Sequence, residues 1–463
     1  MSITAEAMES WLRQILQPDA QTRSLTLSDY LQAIPPLDSL ADVPAGTPVL
    51  VRGDVDAKPG PTVGEGDIRL RSMADTLNFG RQRGWIQVIF GHIGRDPKGS
   101  LQKVRQRIGD ILGIPVGFVA DWLDPDSLTI LPQAVEAVRS AKPGDVLVLE
   151  NTRKYPIETV LWKLKPAGIP EVAPKLARLA NEYAEKIARV YVNEAFSAGS
   201  LDTSTVVVPA AMERVALGRY VAGQFGGPLL DCLNAQLVVS SGLKIDKLDD
   251  LQAMINRGKI RWVFTAGSLA NGLKKAAAEL EGKSYCIGVA EDPAHSDKPY
   301  FIPRERIEQA KKLIAEGRQK GIEFVIPVDF VLQDGRVSET IGPGDQQFDV
   351  GPATSELFEK KIGEFLEKTR NQPDRVAFHN GVFGMFEDPR FETGTKRFIP
   401  QLKRMKDAGV RVYVGGGEGG KALEQYGQPD WVTHNFTAGG TVLNALGSEP
   451  VPYLVALRMA AMR

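Results

Sequence analysis

From Thr47 onward the chain repeats one pattern: a short continuous apolar run, a polar loop, then a helical stretch. Unbroken apolar runs suit strands covered on both faces, and the intervening helices supply the cover. The pattern predicts an α/β fold with parallel sheets. In the first half, strands are predicted at 49–51, 86–90, 116–119, 146–149, 190–192 and 206–207, with helices over 71–83 and 173–188. Around 209–236 the pattern changes to a long helix-like segment, AAMERVALGRYVAGQ, followed by Gly226-Gly227-Pro228. This segment is read as a hinge helix joining two domains. A second series follows at 236–239, 261–265, 285–287, 323–328, 376–379, 411–414 and 431–433. The expectation is two doubly wound domains: residues 1–215, with a two-helix extension over 1–45, and residues 216–440. Residues 441–463 are expected to pack back on the first domain.

Composition narrows the function classes. The 463 residues are 43% hydrophobic and 24% charged, with a net charge of −1. Such a chain can bury a large core and has no global attraction for nucleic acid or an anionic membrane. No apolar run reaches the ~18–20 residues that span a bilayer, and residues 1–14 lack a signal-peptide core. Cys232 and Cys286 are too few for a disulfide framework or a metal cluster. A cytoplasmic protein is expected.

In a doubly wound sheet, ligands sit beyond the carboxyl ends of the strands, and the unusual residues fall there. Strand 411–414 runs into GGGEGG and then a helical stretch from Lys421. Consecutive glycines can turn their N–H groups toward one centre, and a helix N-terminus adds partial positive charge, so Gly415, Gly416 and Gly417 suit phosphate oxygens. Gly415, Gly417 and Gly420 also match a dinucleotide fingerprint, but too little chain follows to complete that half-domain. The segment around Gly267 and the segment Thr437-Ala438-Gly439-Gly440 make similar turns, and Lys244 and Lys247 follow the strand at 236–239. In the first half, Asp54 and Asp56 follow one strand end, and Arg69, His92, Arg95 and Arg153 cluster at or near others. In a chain with almost no net charge, that concentration points to an anionic substrate. The Walker A, protein-kinase, nucleophile-elbow and H-E-x-x-H patterns are absent from the sequence.

The ordered set VLVRGDVD, GHIGR, LVLENTR, YVNEAF, IPVDFV, DVGP, NGVFGMFE, GGGEGG and TAGGT resembles the phosphoglycerate kinase family from about Thr47 to near the C-terminus. The resemblance implies a two-lobed hinge enzyme of glycolysis, a monomer using Mg²⁺ and ATP/ADP. It would transfer a phosphoryl group between Mg-ATP and the carboxylate of 3-phosphoglycerate. It further implies that Asp54 and Asp56 hold the hydroxyl and carboxylate end of the acid, while Arg69, His92, Arg95 and Arg153 hold its anionic groups. Arg69 and Lys244 would flank the transferred phosphoryl. On the nucleotide side it implies Lys247, Gly267, Gly351, Pro352, Asn380, Glu387, Gly415, Gly416, Gly417, Thr437, Gly439 and Gly440, with Glu418 replacing the family's Mg²⁺-associated Asp.

The departures are specific. Asp56 stands where the family has Asn, and Val382 where it has Pro. Lys244 and Lys247 are three apart rather than four. The family's H-R-A-H reads Ser200-Leu201-Asp202-Thr203, so an arginine that holds the distal phosphate is replaced by Leu201. Loss of one such contact costs about 1.5–3 kcal/mol of binding. Two alternatives follow: an ATP-dependent kinase of a different carboxylic acid, or a catalytically impaired nucleotide-binding paralogue.

Overall fold

The structure is a computed structural model describing residues 2–243, 245–447 and 449–463. The chain divides into two compact units: Met1–Gly227 with Glu449–Arg463, and Pro228–Ser448. No helix among the described residues is long and apolar enough to cross a membrane.

The first unit holds β1 (Pro48–Gly53), β2 (Ile86–Phe90), β3 (Gly117–Val119), β4 (Val146–Leu149), β5 (Val190–Glu194) and β6 (Arg214–Leu217) in a parallel sheet of order β3-β4-β2-β1-β5-β6. Both faces are covered. Val49, Val51, Ile89, Val148 and Val192 pack with Met73, Leu77, Val104 and Ile108 from the flanking helices. The helix Ile169–Lys186 buries Leu176, Ala180 and Tyr183 on one side, as helical spacing requires. The amino-terminal region forms three helices, Ala5–Leu16, Ala20–Ser24 and Leu27–Ala33, rather than two. Thr4 caps the first by accepting from the Ala7 amide. Its Trp11 indole then donates to the Val206 carbonyl at 2.8 Å.

Two expectations fail here for one reason. Residues 206–207 are not a strand: Val206 ends the short helix Thr203–Val206. The sixth strand lies inside the stretch read as a long helix, where Arg214 to Leu217 pair with Val190 to Asn193 of β5. Helix-favouring composition is a weak prior, and pairing against a buried parallel edge overrides it.

Helix Arg219–Gln224 follows β6 and belongs to the first unit. Its opening amides explain why: Arg219 donates to the Thr76 hydroxyl (2.9 Å), and Tyr220 and Val221 donate to the buried Glu194 carboxylate (3.0 and 3.3 Å). The division therefore falls at Gly227/Pro228, downstream of 215/216, within a π-helical turn, Phe225–Leu229. Residues 441–447 stay with the second unit, since helix Gly439–Leu446 is held by Arg257, which donates to the Leu446 and Gly447 carbonyls. The helix Pro452–Ala461 completes the first unit, burying Tyr453, Leu454 and Leu457 and packing on β6 and on Thr203–Val206 and Val208–Ala211.

The second unit contains β7 (Leu237–Gly242), β8 (Trp262–Ala266), β9 (Glu323–Val325), β10 (Phe330–Leu332), β11 (Val337–Ser338), β12 (Gln347–Val350), β13 (Val376–Asn380), β14 (Arg411–Gly415) and β15 (His434–Asn435). The main sheet is parallel, ordered β15-β14-β13-β7-β8-β9, and β11-β10-β12 form a small antiparallel sheet beside it. Rings of Phe264, Phe358, Phe383 and Phe398 meet at 4.7–6.1 Å in its core, the offset and edge contacts aromatic pairs prefer. Residues 285–287 are not a strand, and 431–433 give way to β15 just beyond. The predicted strand at 323–328 ends at Val325, ahead of Pro327, which has no amide to donate.

Candidate active site

In the first unit the loops after β1, β2, β4 and β5 meet. Asp54 is buried and accepts from the Ser197 amide (3.1 Å) and hydroxyl (2.6 Å). Asp56 accepts from the Gly94 amide (2.8 Å). Arg69, in the helix Ile68–Ser72, reaches both acids: Nη1 lies 3.1 Å from Asp56 Oδ2, and Nε lies 3.9 Å from Asp54 Oδ1. Burial opposes ionisation of Asp56, but the Gly94 amide, Arg69 and His92 together hold its carboxyl below the ordinary range. Asn151 fastens the β2 and β4 loops, accepting from the Ile93 amide (3.3 Å) and donating to the Gly99 carbonyl (2.9 Å). Gly91 has no room for a Cβ, which would fall 2.6 Å from Arg52 Nη1.

His92 and Arg153 lie together, and both contact Asp202. Arg153 donates from Nη1 to the Gly94 carbonyl (2.6 Å) and from Nη2 to Asp202 Oδ2 (3.1 Å). His92 Nδ1 is 3.1 Å from the same oxygen. Arg52 joins them, with Nη2 3.7 Å from Asp202 Oδ2, and its Nε donates to the Ser204 and Thr205 hydroxyls. Burial works against the charge on Asp202, yet His92, Arg52 and Arg153 hold its carboxyl well below the usual carboxylate range. Arg95 stands apart, exposed and without an ion pair among the described residues. Sequence reasoning singled out neither Arg52 nor Asp202 as a site residue. Their partners lie up to 153 positions away along the chain, and no local motif signals them.

In the second unit the strand ends present backbone. Gly416 has φ +99 and precedes the helix Gly417–Tyr426, a conformation that glycine adopts without strain. Gly439, opening the helix Gly439–Leu446, touches it so closely that a Cβ there would fall 2.5 Å from the Gly416 Cα. The two predicted turns are therefore one surface. Asn380, at the end of β13, donates to the Gly415 carbonyl (3.2 Å) and accepts from Lys247 Nζ (2.8 Å), which also donates to the Ser241 carbonyl. Burial lowers the Lys247 pKa, opposed by Glu418 and Asp250. Beside them Gly267, Glu387 and Glu418 line one pocket, with Val382 and Phe383 as apolar wall. Ile287, Ala290 and Tyr300 also line it, from segments without a sequence signature. Gly351 and Pro352 do not line this pocket: the helix Pro352–Lys368 is capped by Asp329, which accepts from the Ala353 (3.0 Å) and Thr354 (2.7 Å) amides. Thr437 is half-buried and Gly440 exposed near the Gly439 turn. Lys244 lies outside the described residues.

Two doubly wound units, one gathering charged side chains and the other glycine turns at their strand ends, define a two-unit α/β protein. The phosphoglycerate kinase family model matches residues 40–449; the chain belongs to that family. Phosphoglycerate kinases of Clostridium beijerinckii and Gloeobacter violaceus are 27% and 29% identical to it over 426 and 410 residues, covering 89% and 84% of this chain and 96% and 90% of theirs. A tobacco relative, 26% identical over 404 residues and covering 84% of this chain and 90% of its own, is named as the cytosolic phosphoglycerate kinase. Among solved structures, phosphoglycerate kinases from Pyrococcus horikoshii and Coxiella burnetii share the fold, with TM-scores of 0.69 and 0.63 at 22% and 20% identity. Those alignments cover 92% and 91% of this chain and 99% of each structure.

Proposed function

We propose that the chain catalyses reversible phosphoryl transfer between Mg-ATP and the carboxylate of 3-phosphoglycerate, giving 1,3-bisphosphoglycerate. The observation that carries the reading is the gathering of Gly415–417, Gly439, Asn380 and Lys247 at the strand ends of the second unit. Family membership supplies the reaction.

A carboxylate is already ionised at neutral pH, so attack needs no general base. The protein's work is orientation and neutralisation of charge on the transferring group. Asp54 and Asp56 fix the Arg69 guanidinium toward the acid, and Arg69 balances the developing charge. On the nucleotide side the Gly416 and Gly439 turns cradle phosphates, and Lys247, held by Asn380, supplies a cation. Lys244 is proposed as the second cation flanking the transferred group. Val382 and Phe383 offer an apolar slot for the base, with Glu387 placed for the ribose hydroxyls.

Mg²⁺ fits what is present. Glu418 is an exposed carboxylate lining the pocket beside the nest, and no cluster of three or more potential ligands occurs among the described residues. A lone carboxylate completed by nucleotide phosphates is how Mg²⁺ is usually held. When bound, the ion supplies charge neutralisation on the phosphates.

A coupled assay with Mg-ATP and 3-phosphoglycerate tests the reading. Arg69→Ala is expected to lower kcat about 10²–10³-fold, as loss of a transition-state charge donor does, with KM for ATP unchanged. Activity untouched by Arg69→Ala would defeat the assignment.

A further inference from the structure

The cations at the strand ends of the first unit already hold an anion, and it belongs to the chain. Asp202 is 0% exposed. Its Oδ2 faces His92 Nδ1 (3.1 Å), Arg153 Nη2 (3.1 Å) and Arg52 Nη2 (3.7 Å), and its Oδ1 accepts from the Trp162 indole (2.9 Å). Guanidinium and indole donors converge on one carboxylate, and the His92 ring, whose Nδ1 also lies 2.9 Å from Arg52 Nη2, packs against the same oxygen, which together make an oxyanion receptor. The carboxylate is not there to cap a helix: Asp202 precedes the helix Thr203–Val206 but makes no side-chain cap bond to it. Arg153 keeps a buried Nε without a partner among the described residues, so the receptor retains a donor that Asp202 does not satisfy. The Trp162 ring, 41% exposed and stacked 4.7 Å from the Arg153 guanidinium, is its outer wall.

Arg52, His92 and Arg153 all meet at Asp202 Oδ2, so removing its charge would leave these groups an unfilled anion position. We propose that Asp202 stands in for the second anionic group of the acid, and is a specificity-determining residue that removes most of the affinity a distal phosphate would otherwise gain. The proposal rests on the reading that the first unit binds the acid.

The test compares 3-phosphoglycerate with glycerate, its dephosphorylated counterpart, on the native chain and on Asp202→Asn. Asn removes the charge while keeping an acceptor for Trp162. On the native chain the two acids are expected to differ in KM, or in calorimetric Kd, by less than about threefold. Asp202→Asn is expected to tighten 3-phosphoglycerate at least about tenfold, the effect of freeing a charge-assisted contact, with KM for Mg-ATP and for glycerate unchanged. Inorganic phosphate should raise the melting temperature of the variant and not that of the native chain, a response a purely structural carboxylate would not give. A native preference for the phosphorylated acid of about a hundredfold or more, or a folded variant with neither tighter binding nor phosphate stabilisation, overturns the proposal. Should the variant not fold, the native two-acid comparison decides. If neither form turns over either acid, the catalytic reading fails, while calorimetry and phosphate-dependent melting still decide the role of Asp202.

Discussion

In the first unit the charged groups at the strand ends are side chains, and most are spoken for: Arg69 by Asp54 and Asp56, and Arg52, His92 and Arg153 by Asp202. In the second unit the corresponding surface is glycine backbone, with the half-buried Lys247 beside it. The difference concerns what one substitution can do. A side-chain receptor can be filled by a single new carboxylate, which changes specificity and leaves the fold standing. A backbone cradle offers no side chain to neutralise, so it changes only by steric obstruction.

The sharpest way to break that comparison is Arg153→Ala. It would leave Asp202 buried with weakened compensation, a situation that costs about 3–5 kcal/mol, read as a fall in chemical-denaturation midpoint. A stability change within experimental error would show that the ion cluster is not a structural element at all.

Next in size is a pH effect the units share. In each, a buried carboxylic acid at the start of a helix has its ionisation opposed by burial. Glu194 accepts from the Tyr220 and Val221 amides, and Asp349 accepts from the Gly394 amide (2.7 Å). Burial pushes both up to about 7. A carboxyl raised from its unfolded value near 4 contributes stability in full below about pH 4 and loses it as pH rises through about 7. Glu194→Gln and Asp349→Asn should each flatten the melting-temperature profile in that window, by on the order of 3 kcal/mol for Glu194→Gln. Profiles parallel to that of the native chain would contradict it.

Gly439→Ala probes the cradle. The added methyl has nowhere to go against Gly416, so overpacking of about 1–3 kcal/mol is expected. KM for ATP should rise and KM for the acid should stay put. Equal changes in both would mean that the turn serves the fold rather than the nucleotide. The smallest effect belongs to the unpaired cation: Arg95→Gln should leave stability within about 0.5 kcal/mol and raise only the KM for the acid, by a few-fold. A large drop in melting temperature would reveal a partner for Arg95.

The same division explains what could be read from the chain alone. β2 and β4 fall at the predicted 86–90 and 146–149, because apolar runs flanked by turn residues are a local signal. The GGGEGG turn is legible for the same reason, and its contact with Gly439 is not, since two distant turns must meet. β6 was hidden by residues that favour a helix in isolation, and the strands of the antiparallel sheet are too short for any periodicity to show. Leu201 marked a departure from the family pattern. The neighbouring Asp202 carried the larger consequence, but a carboxylate's partners across three loops leave no trace in spacing.

The order of synthesis adds a last point. The first unit is closed by a helix, Pro452–Ala461, that leaves the ribosome after the whole of the second. Domains made early usually fold early; here the later sequence can finish first, while the earlier one waits with the surface meant for Tyr453 and Leu457 uncovered. That surface includes Thr203–Val206, the helix directly after Asp202, so the ion cluster around Asp202 is expected to be the last part of the nascent chain to set.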